Sequence, residues 1–293
     1  MADAGGSEQI KNLFDGIEIY QDIRLFSKAA RDAGMAHDIS PLLELNANFM
    51  ETVDNRLVIS IRNFDKKRSG NILVLNADKT IVYADQSFPA EDMKPFEKML
   101  QKQYGKSTVI TFLVLRRTVS RYKATMNSLI DVLASMEKSF DSQKYITLNM
   151  RFGRLYDLIE QLQDIMIRLE ETQLKEMQTT YISFDYDVLK AECSYLLDRC
   201  KNRFSMLHEI AREREVQATR ELNQRIEKLN EVVRKLTALT VVIMLPNLVA
   251  SHYGMNFANM PELQIPWAYP AVIIVEILLM IAAILAFRKF GWI

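Results

Sequence analysis

LTALTVVIMLPNLVASHY, residues 236–253, decides how the rest of the chain is read. It carries no formal charge beyond what His252 can take up, and its 18 residues meet the lower limit for a helix that crosses a bilayer. A second apolar stretch, Trp267 to Phe287, follows with a single acid, Glu276. The competing reading is a helical hairpin buried in a soluble core, but soluble helices with one polar stripe or none are rare. Two membrane spans are therefore expected, joined by a loop over 254–266 and followed by a basic tail over 288–293. Arg225, Lys228, Arg234 and Lys235 precede the first span, Arg288 and Lys289 follow the second, and the loop has no lysine or arginine. The positive-inside rule then puts both termini in the cytoplasm and the loop outside, with Trp267, Tyr269 and Trp292 at the interfaces.

The totals exclude several function classes. Lys and Arg number 37, as do Asp and Glu, so the net charge is zero and no basic stripe points to nucleic acid. Cys193 and Cys200 stand seven residues apart, two turns along one helix face, which is too far for a disulfide. The leader from Met1 to Glu8 has neither a basic nor an apolar region of a signal peptide, so the large N-terminal part is expected to stay cytoplasmic. No nucleophile–base set, P-loop or glycine-rich phosphate cradle occurs. The expectation is a protein that is not an enzyme and needs no cofactor.

Upstream the signals are mixed and then helical. Arg56 to Arg62 is a β-rich run, and Asn71–Leu75 with Thr80–Ala84 reads as a hairpin around the polar turn Asn76–Lys79. Thr108 to Leu115 fits strand or helix, and the helical spacing from Arg117 to Phe140 favours the start of a helix. This gives an α/β domain over 1–140 and cytoplasmic helices over 141–235. Leu155, Leu158, Ile159, Leu162, Ile165, Met166 and Leu169 recur at helical steps, and Tyr181–Asp185 interrupts them. From Val188 to Leu245 there is neither glycine nor proline, which allows one helix of roughly 85–90 Å. Such a helix suits a stalk that runs from an α+β cytoplasmic domain into a membrane.

The first span is polar on one face. Stepping back from Asn247 by three or four residues meets Met244, Thr240, Thr237 or Leu236, Val233 and Asn230. A lone Asn or Thr in a span is usually satisfied by a neighbouring helix. A row of them suits a narrow hydrated path, which several copies of the span would enclose by symmetric assembly. Pro246 lies within the span and frees a backbone carbonyl, either for a kink or for a hydrated pore.

Tyr253-Gly254-Met255-Asn256-Phe257, then Met260-Pro261-Glu262-Leu263, lies between the two spans. With Asn230–Thr237 at the stalk-to-membrane boundary, this order resembles the CorA family of divalent-cation transporters over about Asn230 to Trp292. The resemblance implies a funnel-shaped homopentamer in the cell (inner) membrane. Its first transmembrane helices would line the pore, and rings of Gly254, Met255 and Asn256 would form the outer mouth. Magnesium would be both the transported and the regulatory ion. Mg²⁺ gives up water reluctantly, so Asn256 would act on it through the hydration shell while Gly254 permits a tight turn. Asn247 and Asn230 would be polar pore rings, Met244 and Leu236 apolar constrictions that gate by dewetting. Glu262 would concentrate cations at the external entrance, or be a solvated turn residue. The family's mid-span order of proline, apolar residue and threonine is replaced here by Leu245-Pro246-Asn247, which changes the size of that ring. An acidic stalk residue of some members aligns with Thr219 and is not carried over.

Two alternatives stay open. The ion could be Co²⁺, Ni²⁺ or Zn²⁺, although Met255 in the tripeptide leans toward magnesium. The chain could instead be a membrane anchor presenting a coiled-coil stalk, a role with no use for the face from Asn230 to Asn247. Glu276 is expected to be a structural acid that finds a hydrogen-bond partner. Cys193, Cys200 and His208 match no zinc-ligand spacing.

Overall fold

The computed structural model describes residues 16–45, 47–64, 69–75, 80–84, 106–171, 179–255 and 260–292. The elements are β1 (Ile17–Tyr20), α1 (Ile23–Asp32), β2 (Phe49–Val53), β3 (Arg56–Arg62), β4 (Gly70–Leu75) and β5 (Thr80–Ala84). They continue with α2 (Lys106–Lys138), α3 (Ser142–Glu171), α4 (Ser183–Tyr253) and α5 (Ala268–Lys289). Short 3-10 turns occupy Ser40–Glu44, Thr179–Ile182 and Pro261–Gln264. The chain divides into two compact units, Met1–Ala211 and Arg212–Ile293.

In the first unit the five strands lie in the order β1-β5-β4-β3-β2. β1 runs parallel to β5, and every other pair is antiparallel. β3, β4 and β5 are covered on both faces, which is why their sequences read as apolar runs rather than alternating ones. Ile59, Ile61, Leu73, Leu75 and Val82 face a core shared with α2, α3 and the first part of α4. Val58, Ile72, Val74 and Ile81 face α1 through Phe26, Ala29 and Ala30. The larger core passes residue 140 without a break, taking in Met136 and Leu148 on either side.

The expected hairpin is β4–β5, with Leu75 opposite Thr80, and its turn at Asn76–Lys79 lies outside the described residues. Thr108 to Leu115 is helical, inside the 33-residue α2. A second hairpin, β2–β3, turns at Asp54 and Asn55, both with positive φ (51° and 61°). That geometry matches the right-handed strand twist and tolerates Asp and Asn best after glycine. Asp54 also anchors the loop after α1. Its carboxylate accepts from the Ala36 and His37 amides at 2.8 and 3.2 Å and contacts His37 Nδ1 at 3.0 Å.

A buried polar node joins sheet to helices. Asn48 donates to the Leu158 carbonyl at 2.7 Å and to Tyr122 Oη at 3.1 Å, and its Oδ1 accepts from the Arg62 amide at 2.7 Å. Tyr122 donates to the Arg62 carbonyl at 2.7 Å. Burial pushes the Tyr122 phenol far above its ordinary range, so it acts here as a neutral donor.

Cys193 and Cys200 are buried against α3, with each sulfur 3.9 Å from a carbonyl, of Ile159 and Phe152 respectively. Burial pushes both thiols up to about 12, which keeps them protonated and inert. His208 contacts Tyr145 Oη at 3.2 Å instead of joining them. Among the described residues no group of three or more His, Cys, Asp or Glu side chains is placed to hold a metal.

The interruption expected over Tyr181–Asp185 is confined to the turn that ends at Ile182, because α4 already begins at Ser183. The helix is 71 residues long and runs from Ser183 through Pro246 to Tyr253. In the second unit α5 closes with Gly291 at φ +69°. The Gly291 and Trp292 amides donate to the Arg288 and Phe287 carbonyls at 3.1 and 2.9 Å, and the Phe287 and Trp292 rings pack at 5.6 Å. This is the Schellman arrangement, in which glycine takes the left-handed position and an apolar contact seals the end.

Candidate functional site: the exposed row of α4 and the loop beyond it

Two helices are long and apolar enough to cross a membrane: α4, within its C-terminal part, and α5. In the most apolar 18-residue window of each, 6% and 0% of residues are buried inside the chain. A hairpin in a soluble core would be mostly buried, so the core reading does not describe them.

The second-unit part of α4 has two distinct sides. Ala238 is buried and Val242, Leu245 and Val249 are half-buried, with Pro246 at the edge of their stripe. Asn230, Val233, Leu236, Thr237, Thr240, Met244 and Asn247 are all exposed. At ~100° per residue the centre of this row lies roughly 150° around the helix from the covered stripe. The polar row is thus on the side of α4 that the chain itself leaves open. Ser251 belongs to it as well, exposed and one turn beyond Asn247. The step of four from Asn247 is the signal that identifies it, and the sequence reading stopped short of it.

The row has a definite hydrogen-bonding character. Thr237 donates to the Val233 carbonyl and Thr240 to the Leu236 carbonyl, both at 2.8 Å. Each hydroxyl proton is committed to the helix, so the oxygens present lone pairs outward. A hydrated cation turns its water hydrogens outward and needs acceptors from a wall. The two threonines supply them, while Met244 and Leu236, at 60% and 61% exposed, supply apolar bands between.

At the outer end, α4 stops at Tyr253. Gly254 donates to the Ala250 carbonyl at 2.9 Å and is not among the residues with positive φ. A Cβ placed on it would lie 3.3 Å from that same oxygen. Glycine is therefore suited to Gly254 by close backbone approach rather than by a left-handed turn. Met255 lines a cavity of about 450 Å³ with Leu248, Val249, Ser251 and His252. Asn256 lies outside the described residues. Glu262 is exposed in the first turn of the 3-10 segment Pro261–Gln264.

At the other end of the row, Glu231 pairs with Lys235 at 2.7 Å. The lysine holds the Glu231 carboxyl below its ordinary range, through the hydrogen bond first and the charge second. Glu276 sits on the half-buried stripe of α5, with Ala268, Val272, Met280 and Ala283.

Residues 46–289 match the family described as CorA-like Mg²⁺ transporter protein. Over 63 residues the chain is 43% identical to the magnesium transport protein CorA of Campylobacter jejuni subsp. jejuni, covering 22% of this chain and 19% of that one. The same protein of Escherichia coli K12 is 43% identical over 63 residues, 22% of this chain and 20% of that one. The matched segment thus spans about a fifth of these curated relatives. Among solved structures, the CorA magnesium transporter of Methanocaldococcus jannaschii superposes with a TM-score of 0.54 at 15% identity, covering 94% of this chain and 90% of that one. The ZntB cytoplasmic domain of Vibrio parahaemolyticus gives 0.51 at 10% identity, over 70% and 87% of the two chains. At those identities the likeness is one of fold. The family match over 46–289, with the exposed row of α4 running up to Gly254 and Met255, places this chain in the CorA-like Mg²⁺ transporter family.

Proposed function

We propose that the chain is one subunit of a symmetric, funnel-shaped homopentamer that carries divalent cations passively across the inner membrane, with Mg²⁺ as the principal ion. The observation that carries this reading is the row Asn230–Val233–Thr237–Thr240–Met244–Asn247, exposed on the side of α4 opposite its covered stripe. Five copies around an axis would turn these rows inward and make alternating polar and apolar rings. Threonine oxygens and asparagine amides would accept hydrogen bonds from the ion's water shell, and Met244 and Leu236 would dewet in the closed state. Asn256 would complete the outer ring through the hydration shell, with Glu262 drawing cations to the entrance. Both termini would lie in the cytoplasm, where the first unit senses Mg²⁺ and closes the path when it is high. The membrane potential supplies about 2.3 kcal/mol per elementary charge at 100 mV, so no further energy source is required.

The test is ion uptake into liposomes carrying the purified protein, with Mg²⁺, Co²⁺ and Zn²⁺ in separate arms and Asn256→Ala as the control. Uptake of Mg²⁺ that falls sharply in the variant supports the reading. Flux of none of the three ions, or flux indifferent to Asn256→Ala, overturns it. A Zn²⁺ or Co²⁺ preference overturns only the choice of ion.

A further inference from the structure

His252 and Met255 come together at the outer end of α4, on a flank that is neither the open row nor the covered stripe. At ~100° per residue, Leu248, His252 and Met255 share that flank, a helical turn apart. The Met255 amide donates to the His252 carbonyl at 3.4 Å, which closes the chain from i to i+3 where the α-helix ends. A closure of this kind eclipses the side chains at i and i+3, so it turns the imidazole and the thioether to the same side. Both residues line one cavity of about 450 Å³, with Leu248, Val249 and Ser251. His252 is exposed, and its ring meets the Tyr253 ring edge-on with centroids 5.7 Å apart. Neither of its ring nitrogens has a hydrogen-bond partner among the described residues. Met255 is 42% exposed, so its sulfur is open to the cavity as well.

We infer that His252 and Met255 form a binding site for a soft, singly charged metal ion, copper(I). Thioether sulfur selects soft ions, and imidazole nitrogen binds copper readily. Mg²⁺ takes oxygen ligands and keeps its water, so the ion of the transport reading has no use for this pair. The described residues lining the cavity include no carboxylate and no thiolate, so nothing there offsets the second charge of a divalent ion. Copper(I) carries one charge and is satisfied by two or three ligands, so one imidazole and one thioether are enough for it. A structural zinc site needs four. Leu248 and Val249 wall the cavity with apolar surface, which limits the access of water to a bound ion. The Ser251 hydroxyl is a hard oxygen and adds little for a soft ion.

Competition titration of the purified full-length chain tests this, with copper(I) held by a coloured chelator under anaerobic, reducing conditions in detergent. The wild-type chain is expected to take one more copper(I) from the chelator than the double variant His252→Ala/Met255→Leu. The buried thiols Cys193 and Cys200 are present in both, so whatever they bind cancels in the difference. Losing a group that merely orients a metal ligand costs 10–100-fold in affinity, so His252→Ala and Met255→Leu should each weaken this site at least about tenfold. Met150→Leu, at an exposed methionine of α3, should leave it unchanged. Excess Zn²⁺ or Mg²⁺ should not displace the ion. Equal uptake by the wild type and the double variant overturns the inference. So does an equal loss with Met150→Leu, or displacement of the copper by Zn²⁺. None of these readouts depends on ion flux, so the transport reading stands or falls separately.

Discussion

The Thr240 hydroxyl donates to the Leu236 carbonyl at 2.8 Å, and this one bond sets what the residue offers on the open side of α4. With its proton committed, the oxygen is an acceptor only. Thr240→Val keeps the shape and removes the acceptor. Uptake should fall about fivefold or more, the worth of one hydrogen bond per copy. Thr240→Ser keeps the back-bond and should stay near wild type. Equal loss in both variants would show that packing, not hydrogen bonding, is what Thr240 supplies.

Gly254→Ala places a methyl 3.3 Å from the Ala250 carbonyl, so the backbone after α4 must shift by a few tenths of an ångström. The first unit is untouched by this change. The expected result is reduced initial uptake with an unchanged melting temperature of the purified protein, read side by side.

The Asn48 node predicts a stability effect far from the row. Tyr122→Phe leaves the Arg62 carbonyl without its donor inside the core, at a cost of about 1–3 kcal/mol. Asn48→Ala removes bonds to Tyr122, Leu158 and the Arg62 amide together and should cost more. Denaturant titration of the full chain, following the first unit's unfolding, measures both.

Asp54 gives a pH dependence. Hydrogen bonds from the His37 side chain and amide hold its carboxyl below the ordinary carboxylate range. A group depressed by folding stabilises the fold above its unfolded pKa, and that contribution is lost as pH falls through the folded value. Melting temperature should therefore decline on acidification from neutral to about pH 3, below the ordinary value near 3.9. Asp54→Asn should decline less over the same range, starting from a lower value at neutral pH.

Much of this was legible in the sequence, for particular reasons. β3 and the β4–β5 pair announce themselves as apolar runs, and α3 by seven residues at helical steps, because both faces or one whole stripe are buried. β1 does not: its four residues pair with β5, more than sixty positions later, and nothing local records that. β2 is half exposed, and its turn uses Asp54-Asn55 without the glycine that usually marks such a hairpin. On α4 the polar row shows in the sequence because Asn and Thr stand out against apolar neighbours. The covered stripe does not, since Val242 and Leu245 look the same as the exposed Ile243 and Leu248 until something shields them.

The phase of α4 is the centre of the account, and single-cysteine accessibility tests it most directly. Cys193 and Cys200 are buried with thiols pushed up to about 12, so they give little background with a charged thiol reagent. Cysteines placed one at a time at 240, 244, 247 and 251 should react in liposomes, and reaction should block Mg²⁺ uptake. Cysteines at 242, 245 and 249, on the covered stripe, should neither react nor block. Block from the covered stripe with none from the row would contradict the assignment of the pore face.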